Sequence, residues 1–324
     1  MKLAGVLSGL RHRFPLRGKN ALVTGGSRGL GLEIARVLVE RGANVAILAR
    51  SSEDIERALV DLSEHRTSAT ALILGETCDL CDSAAIDAAF ASLHERLGPI
   101  DVLVNNAGTI QVGPLDSVTG EDFESAMRLH CYAPLRTMLA VREGMKARGG
   151  GRIANIASIG GVVSVPHLLP YSTSKFALMG LSQGMRAELS RDGILVSTIA
   201  PGLMRTGSPR NATFKGEHRK EYAWFTLSDS LPPLSLSSRR AARRIVRAIE
   251  RGEPHVVLGL PAKLAMLASG FAPGLVNRAM TLANSLLPKG TAQRAHHGFD
   301  SESKLAPSIL TVLTERAASL NNQR

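Results

Sequence analysis

A chain of 324 residues, 44% apolar and 21% charged, is long enough to bury a large core and has the composition of an ordinary soluble globular protein. Its three cysteines, Cys78, Cys81 and Cys131, make no even disulfide framework, which sets a reducing, cytoplasmic environment as the expectation. The net charge of +11 lies at the ends, with −3 over residues 19–200 and +10 over residues 201–324, and aromatic side chains are only 4%; both facts argue against a nucleic-acid reader.

Residues 1–18 hold four Lys/Arg and no acid, a basic N-terminal extension that packs on or beside the main domain. An apolar run, Leu3 to Leu10, has the flavour of a signal peptide but lacks a convincing small-residue cleavage site. The basic ends suit an anionic membrane surface or an acidic partner, against the plainer reading of a solvated surface.

Asn20 to Thr24 has the length and composition of a buried strand, and an amphipathic helix follows from Leu30. Between them lies Gly25-Gly26-Ser27-Arg28-Gly29-Leu30-Gly31. A strand, a glycine turn and a helix start form an anion site, because backbone N–H groups and the helix dipole converge on a pyrophosphate. The second strand, Asn44 to Ala49, ends in Arg50 where an acid would grip the ribose 2′-hydroxyl of NAD. With Arg28 in the turn, Arg50 suits a 2′-phosphate instead, so NADP(H) is preferred over NAD(H).

Helix and strand continue to alternate: a helix near 53–66, a strand at 70–77, a helix near 82–97 and a strand at 100–104. Cys78-Asp79-Leu80-Cys81 has a redox or zinc spacing, but with no second pair it is read as strand-end cysteines and no metal is assigned. Asn105-Asn106-Ala107-Gly108 leaves a parallel strand at its carboxyl end, where ligands bind. One long helix is expected over about Glu121–Arg148, then a strand ending at Ser158, a helix from Tyr171 to about Arg191 and a strand over 194–199.

Tyr171 and Lys175 lie one helical turn apart on a single face. An ammonium beside a phenol favours the phenolate, which lowers the tyrosine pKa towards working pH and equips it as an acid/base. Ser158, thirteen residues upstream, offers a hydroxyl to the same substrate oxygen.

Together, Thr24-Gly25-x-x-x-Gly29-x-Gly31, Asp79-Leu80, Asn105-Asn106-Ala107-Gly108, Ser158, Tyr171-x-x-x-Lys175 and Pro201-Gly202-x-x-x-Thr206 resemble the classical short-chain dehydrogenase/reductase family, in order and spacing across about residues 18–260. The resemblance implies an α/β fold, a doubly wound parallel sheet of about seven strands (a Rossmann fold). It implies an NADP-dependent enzyme that interconverts a ketone or aldehyde and a secondary alcohol, with Tyr171 as acid/base, Ser158 steadying the substrate oxygen and Lys175 tuning Tyr171. Cofactor contacts are expected at Gly25, Ser27, Arg28, Gly29, Leu30, Gly31, Arg50, Asp79, Leu80, Asn106, Ala107, Gly108, Tyr171, Lys175, Pro201, Gly202, Met204 and Thr206. His130 stands where the family usually has an asparagine that supports a proton relay; it either keeps that relay, titrating near neutral pH, or is a plain helix histidine. A 3-oxoacyl-thioester reductase is the alternative within enzymology. A dinucleotide-binding regulatory or scaffold protein without turnover is the alternative outside it.

Residues 207–235 are expected to be the substrate loop, or lid, of a catalytic domain spanning 19–260. Phe214, Tyr222, Trp224 and Phe225 suggest a sizeable apolar substrate such as a steroid or lipid, or else they pack the lid on the domain. The arginines between Ser238 and Arg251 are read as one solvated helix face. Residues 261–324 form an apolar and basic helical extension with a loop-like tail from about Lys289. Its longest uncharged stretch, Leu264 to Asn277, is 14 residues, short of the about 20 needed to span a bilayer. It is expected to lie on a membrane surface, to make a dimer contact or to cover the cleft; a homodimer or tetramer is the expected assembly.

Overall fold

A computed structural model describes residues 13–230, 235–302 and 311–323. Seven strands, β1 (Asn20–Thr24), β2 (Asn44–Ala49), β3 (Ile73–Thr77), β4 (Val102–Asn105), β5 (Gly151–Ile156), β6 (Ile194–Pro201) and β7 (His255–Leu258), form one parallel sheet in the order β7-β6-β5-β4-β1-β2-β3. The central strands are unbroken apolar runs because helices cover both faces; Leu22, Val23, Leu103 and Val104 are all fully buried. Strand order reverses between β1 and β4, which opens a crevice at their carboxyl ends.

The register sets Thr24, Asn105, Asn155 and Thr198 side by side along that edge. They form a buried chain: Asn105 Nδ2 donates to Asn155 Oδ1 (2.9 Å), Asn155 Nδ2 to Ser182 Oγ (3.1 Å), and the Thr137 and Thr198 hydroxyls to Asn105 Oδ1 and Ser182 Oγ (both 2.7 Å). A slip of one residue would leave these groups unpaired in the core, so the network pins the strands whose ends carry the site.

Eleven helices are seen among the described residues: α1 (Gly29–Glu40), α2 (Ser52–Glu64), α3 (Ser83–Leu97), α4 (Gly120–Met127), α5 (Ala133–Ala147), α6 (Leu169–Leu189), α7 (His218–Ser230), α8 (Ser238–Arg251), α9 (Leu260–Phe271), α10 (Pro273–Ser285) and α11 (Val312–Leu320). Ser51 and Asp82 cap α2 and α3, and Thr119 with Asp122 forms a capping box on α4. In α8 the apolar side, Ala241, Ala242, Ile245, Val246 and Ile249, packs on α1 while Arg240, Arg243 and Arg247 are not buried. Of the basic N-terminal extension, residues 1–12 lie outside the described part. Leu16 is buried, and the Phe14 amide donates to the Glu250 carbonyl of α8 (2.7 Å).

Three expectations are corrected. The long helix over Glu121–Arg148 is interrupted by a π-helical turn, Arg128–Tyr132, where the Ala133 amide reaches five residues back to the Arg128 carbonyl. Pro134 has no N–H to offer His130, so a regular α-turn cannot close there. The lid expected as a loop contains the helix α7, held by Tyr222, Phe225, Thr226 and Asp229, all buried. Its residues 231–234 lie outside the described part. The loop-like tail contains α11, whose partners are far away in sequence and therefore invisible to local pattern. Helices α9 and α10 bury a single side chain between them, Ala262. Phe271 is 87% exposed, and none of the described helices is long and apolar enough to cross a membrane.

Candidate active site

The glycine turn is built so that only glycine fits. Gly25 has φ +61°, and a Cβ there would stand 2.8 Å from Ala107 Cα; a Cβ on Gly31 would collide with the Gly25 carbonyl oxygen. The segment after β4 clamps the turn. Thr24 Oγ1 accepts from the amides of Asn106 (3.0 Å) and Ala107 (3.1 Å), and Asn106 Nδ2 donates to the carbonyls of Thr24 (3.2 Å) and Gly25 (3.1 Å). The Asn106 side chain thus holds the turn from behind. Helix α1 has no side-chain cap and no acid in its first turn, which leaves its N-terminal amides and dipole for an external anion or acceptor. This cradle, with Arg28 and Arg50 at its mouth, fits a dinucleotide pyrophosphate.

Arg28 Nη1 donates to Asn211 Oδ1 (2.9 Å) and lies 3.9 Å from Asp54. Burial lowers its pKa; Asp54 opposes that shift and the Arg50 charge adds to it, so the two guanidinium groups share one field. Arg50 is exposed. Asp79 is exposed too, its Oδ1 accepting from the Cys81 amide (2.9 Å), while Leu80 is buried. Cys78 and Cys81 are free thiols; burial pushes the first up to about 11 and also raises the second. The opposite lip is the segment after β6. The Gly202 amide is held by the Leu258 carbonyl (2.9 Å), the Met204 amide by Asp229 Oδ1 (3.1 Å), and Thr206 is buried. Between the lips, the Gly29 amide donates to the backbone carbonyl of Asn321 (2.8 Å), just beyond α11. An oxygen acceptor therefore already sits at the helix start.

Ser158 follows β5 and caps a short 3-10 turn, its Oγ accepting from the Gly160 amide (3.0 Å) and hydrogen-bonded to the Tyr171 side chain. Tyr171 enters α6 one residue after Pro170, a proline in the first turn where its missing N–H costs nothing. Lys175 is buried, with Nζ donating to the Ile156 carbonyl (2.9 Å) and lying 5.7 Å from the Tyr171 ring centre. Burial lowers Lys175 to about 8. The expected lowering of Tyr171 is corrected. Burial raises it, the Ser158 hydrogen bond pulls the other way, and the Asp229 carboxylate adds to the rise. Desolvation of a phenolate thus outweighs the charge argument drawn from helical spacing.

His130 is fully enclosed and both ring nitrogens are used. The Thr109 amide donates to Nε2 (3.1 Å), so the ring proton is on Nδ1 and is donated to Ser174 Oγ (2.8 Å), which donates onward to the Tyr171 carbonyl (2.8 Å). The ring meets Tyr171 edge-on at 5.5 Å. Burial and the Lys175 charge hold its pKa well below the usual value, so the expected titration near neutral pH is corrected to a fixed neutral tautomer. Gly108 leaves room for it: a Cβ there would be 3.1 Å from Nε2.

Phe214, Tyr222 and Phe225 are buried in a cluster that fastens α7 to the domain, so these three serve packing. Ile110, Val165 and Trp224, like Tyr171 itself, are half-buried against the same cluster. His167, at φ +65°, pairs with Glu221 (2.9 Å), which also accepts from Trp224 Nε1 (2.7 Å). Sequence reasoning missed Asp229. It is buried on α7 with Oδ2 lacking a partner, and burial pushes its carboxyl up to about 7. No local pattern separates it from an ordinary helix acid. The Asn321–Gln323 segment was missed for the same reason.

Residues 19–215 match the short chain dehydrogenase family. The chain belongs to that family. This oxidoreductase is 40% identical over 188 residues to a putative ketoacyl reductase of Streptomyces coelicolor, covering 57% of this chain and 70% of that one. It is 35% identical over 191 residues to a 3alpha-hydroxysteroid dehydrogenase of Mediterraneibacter gnavus, covering 59% of this chain and 76% of that one. Among solved structures it is similar to a gluconate 5-dehydrogenase from Burkholderia cenocepacia in complex with NADP and tartrate, with TM-score 0.67, 28% identity, and coverage of 78% of this chain and 98% of that one.

Proposed function

We propose that this enzyme uses NADP(H) to interconvert a ketone or aldehyde with a secondary alcohol, and that its substrate is an apolar carbonyl compound. One observation carries the reading: a half-buried Tyr171 whose hydroxyl desolvation keeps neutral, hydrogen-bonded to Ser158, one helical turn from the buried Lys175 cation. Binding alone would not need such a phenol. Bound NADP(H) supplies or accepts the hydride. The protein does the proton work. Ser158 Oγ polarises the carbonyl oxygen, and Tyr171, kept protonated by burial, gives its proton to that oxygen as negative charge develops. Lys175, close behind, stabilises the phenolate that results. His130 acts as a positioning residue, tying Thr109 to α6 through Ser174. The Gly25–Gly31 turn holds the pyrophosphate, and Thr206 with Met204 closes the other lip. The half-buried Ile110, Val165 and Trp224 favour an apolar substrate, and the ketoacyl reductase relative makes a 3-oxoacyl thioester the second candidate. NADPH oxidation against steroids, simple ketones, hydroxylated ketones and 3-oxoacyl thioesters tests this; turnover confined to hydroxylated ketones would overturn the apolar assignment.

The paired arginines at the crevice mouth set the cofactor. NADPH is expected to bind about ten- to a hundredfold more tightly than NADH, since a charge-assisted hydrogen bond to the 2′-phosphate contributes about 1.5–3 kcal/mol. Arg50→Asp should narrow or reverse the ratio. Equal dissociation constants for the two cofactors in the unmodified protein would refute the assignment.

Helices α9 and α10, part of the 261–324 extension beyond the 19–260 catalytic unit, bear Leu264, Leu267, Phe271, Leu275 and Leu282 exposed, with Lys263 and Arg278 among them. We assign this face to an anionic lipid surface, where each basic residue contributes about 1 kcal/mol. The protein should co-sediment with phosphatidylserine vesicles at low salt, and Lys263→Glu with Arg278→Glu should release it. Absence from the pellet, with a concentration-dependent dimer that the same changes dissociate, would make the face a subunit contact instead.

A further inference from the structure

The segment Asn321-Asn322-Gln323, which follows α11, lies in the crevice assigned above to the dinucleotide. From this we infer that α11 and its tip are a built-in competitor for the cofactor's phosphate cradle, so that NADP(H) binds only when the tail swings out. The inference rests on the cofactor reading of the previous subsection.

The competition is for named groups. The Gly29 amide has one hydrogen, and it goes to the Asn321 carbonyl (2.8 Å). That carbonyl oxygen takes the place at the helix start that a phosphate oxygen would take. Asn322, at φ +52°, donates through Nδ2 to the Ser27 carbonyl (2.9 Å) and the Asp54 carbonyl (3.2 Å). Gln323 lies so close that a Cβ on Gly29 would be 2.5 Å from its Nε2. Asn211, which holds the Arg28 guanidinium, donates to the Gln323 backbone carbonyl (3.1 Å) and to Oε1 (2.6 Å). Across the crevice, Asn321 Nδ2 reaches the Thr206 carbonyl (3.3 Å) and Ser238 Oγ (3.2 Å). The tip thus bridges the glycine turn to the Thr206 segment, the two lips between which a dinucleotide lies at a strand-order reversal.

The way α11 is fastened suits a part that must leave. Its one fully buried apolar side chain is the small Ala318, against Gly207, and its other anchors are polar: Thr314 with Ser230 (2.7 Å), Glu315 with Arg210 (3.2 Å), the Leu320 carbonyl with Arg36 (2.8 Å), and Asn322 Oδ1 with Arg57 (2.9 Å). Meanwhile Val312, Leu313 and Leu320 stay exposed. A helix docked permanently would bury its leucines. One held by hydrogen bonds to amides and arginines can be exchanged for a polyanionic ligand that satisfies the same donors.

The test compares the full chain with a chain truncated after Leu320, titrating NADPH calorimetrically into each. If the closed tail is favoured about ten to one, truncation tightens NADPH binding about tenfold. In the full chain, NADPH should also speed hydrogen exchange of the amides in 311–323. Asn322→Ala, which shortens nothing, should act in the same direction by a smaller factor and serves if the truncated chain fails to fold. An unchanged or weaker NADPH affinity after truncation overturns the inference, as does protection of the tail by NADPH, which would make it part of the occupied site. These results leave the cofactor reading intact. Failure of both proteins to bind either NADPH or NADH would instead remove the cofactor reading, and the inference with it.

Discussion

Replacing Tyr171 with Phe is expected to cut the kcat of carbonyl reduction by about a hundred- to ten-thousandfold, the usual contribution of a positioned proton donor. The NADPH dissociation constant should stay nearly constant, because the change removes one hydroxyl and leaves the ring. That ring keeps its edge-on contact with His130 and its place against the apolar cluster. Ser158 retains the Gly160 amide as a donor, so the shell does not collapse. A loss in kcat without a matching loss in binding is the signature of an interaction made only in the transition state. Steady-state kinetics with a titration of NADPH separates the two quantities. Turnover near the unmodified rate would sink the assignment of Tyr171.

Asp229→Asn should stabilise the protein by an amount that grows as pH rises from 3.8 to about 7 and is constant above it. The carboxyl has an ordinary pKa of 3.8 and is pushed up to about 7 in the folded chain by burial. Below 3.8 it is protonated in both states, and its relative contribution to stability is fully present. Between 3.8 and about 7 the folded state keeps a proton that the unfolded state has lost, so stability falls as pH rises. Above about 7 the whole cost of a buried carboxylate stands, up to about 4 kcal/mol at 1.36 kcal/mol per pKa unit. The amide cannot ionise and keeps an oxygen for the Met204 amide. Denaturant unfolding should therefore show the variant more stable by about 2–4 kcal/mol at pH 8, with the gain shrinking towards nothing near pH 4. Lys175 does not interfere. Its folded pKa of about 8 against an ordinary 10.5 makes stability rise with pH only between those values. A gain independent of pH would show that Asp229 is not ionised in the folded protein. Because the Asp229 charge raises Tyr171, the variant should also shift the tyrosine limb of the pH–rate profile to lower pH.

A residue kept at such a cost beside the phenol is what no local pattern reveals. Asp229 sits four residues after Phe225 in the segment the sequence presents as a substrate loop, and the amide it accepts from, Met204, lies 25 residues away. The direction of the Tyr171 shift is of the same kind. Helical spacing brings Lys175 within reach of Tyr171, but how far each leaves water is decided by what the fold packs against it. His130 is visible in the chain as an unusual residue. Its neutral tautomer follows from the Thr109 amide and Ser174 hydroxyl, 21 and 44 residues away.

The features legible in the chain alone are those encoded at short range. Strand and helix periods laid out the alternating elements, which the family resemblance ordered into a parallel sheet, and the glycine spacing made a turn that a Cβ would block at Gly25 and Gly31. The Tyr171–Lys175 interval placed two groups on one helix face. These features depend on residues within about two turns of one another, so local steric and hydrogen-bonding rules suffice. The tertiary structure decided what depends on distant partners: the π-turn's aim at the site, the charge states of Tyr171, Lys175 and Asp229, and the docking of Asn321–Gln323 almost 300 residues from Ser27 and Gly29. Burial and pairing across such separations are set by the packed fold, because the free energy of a charge or an amide depends on every group that displaces water around it.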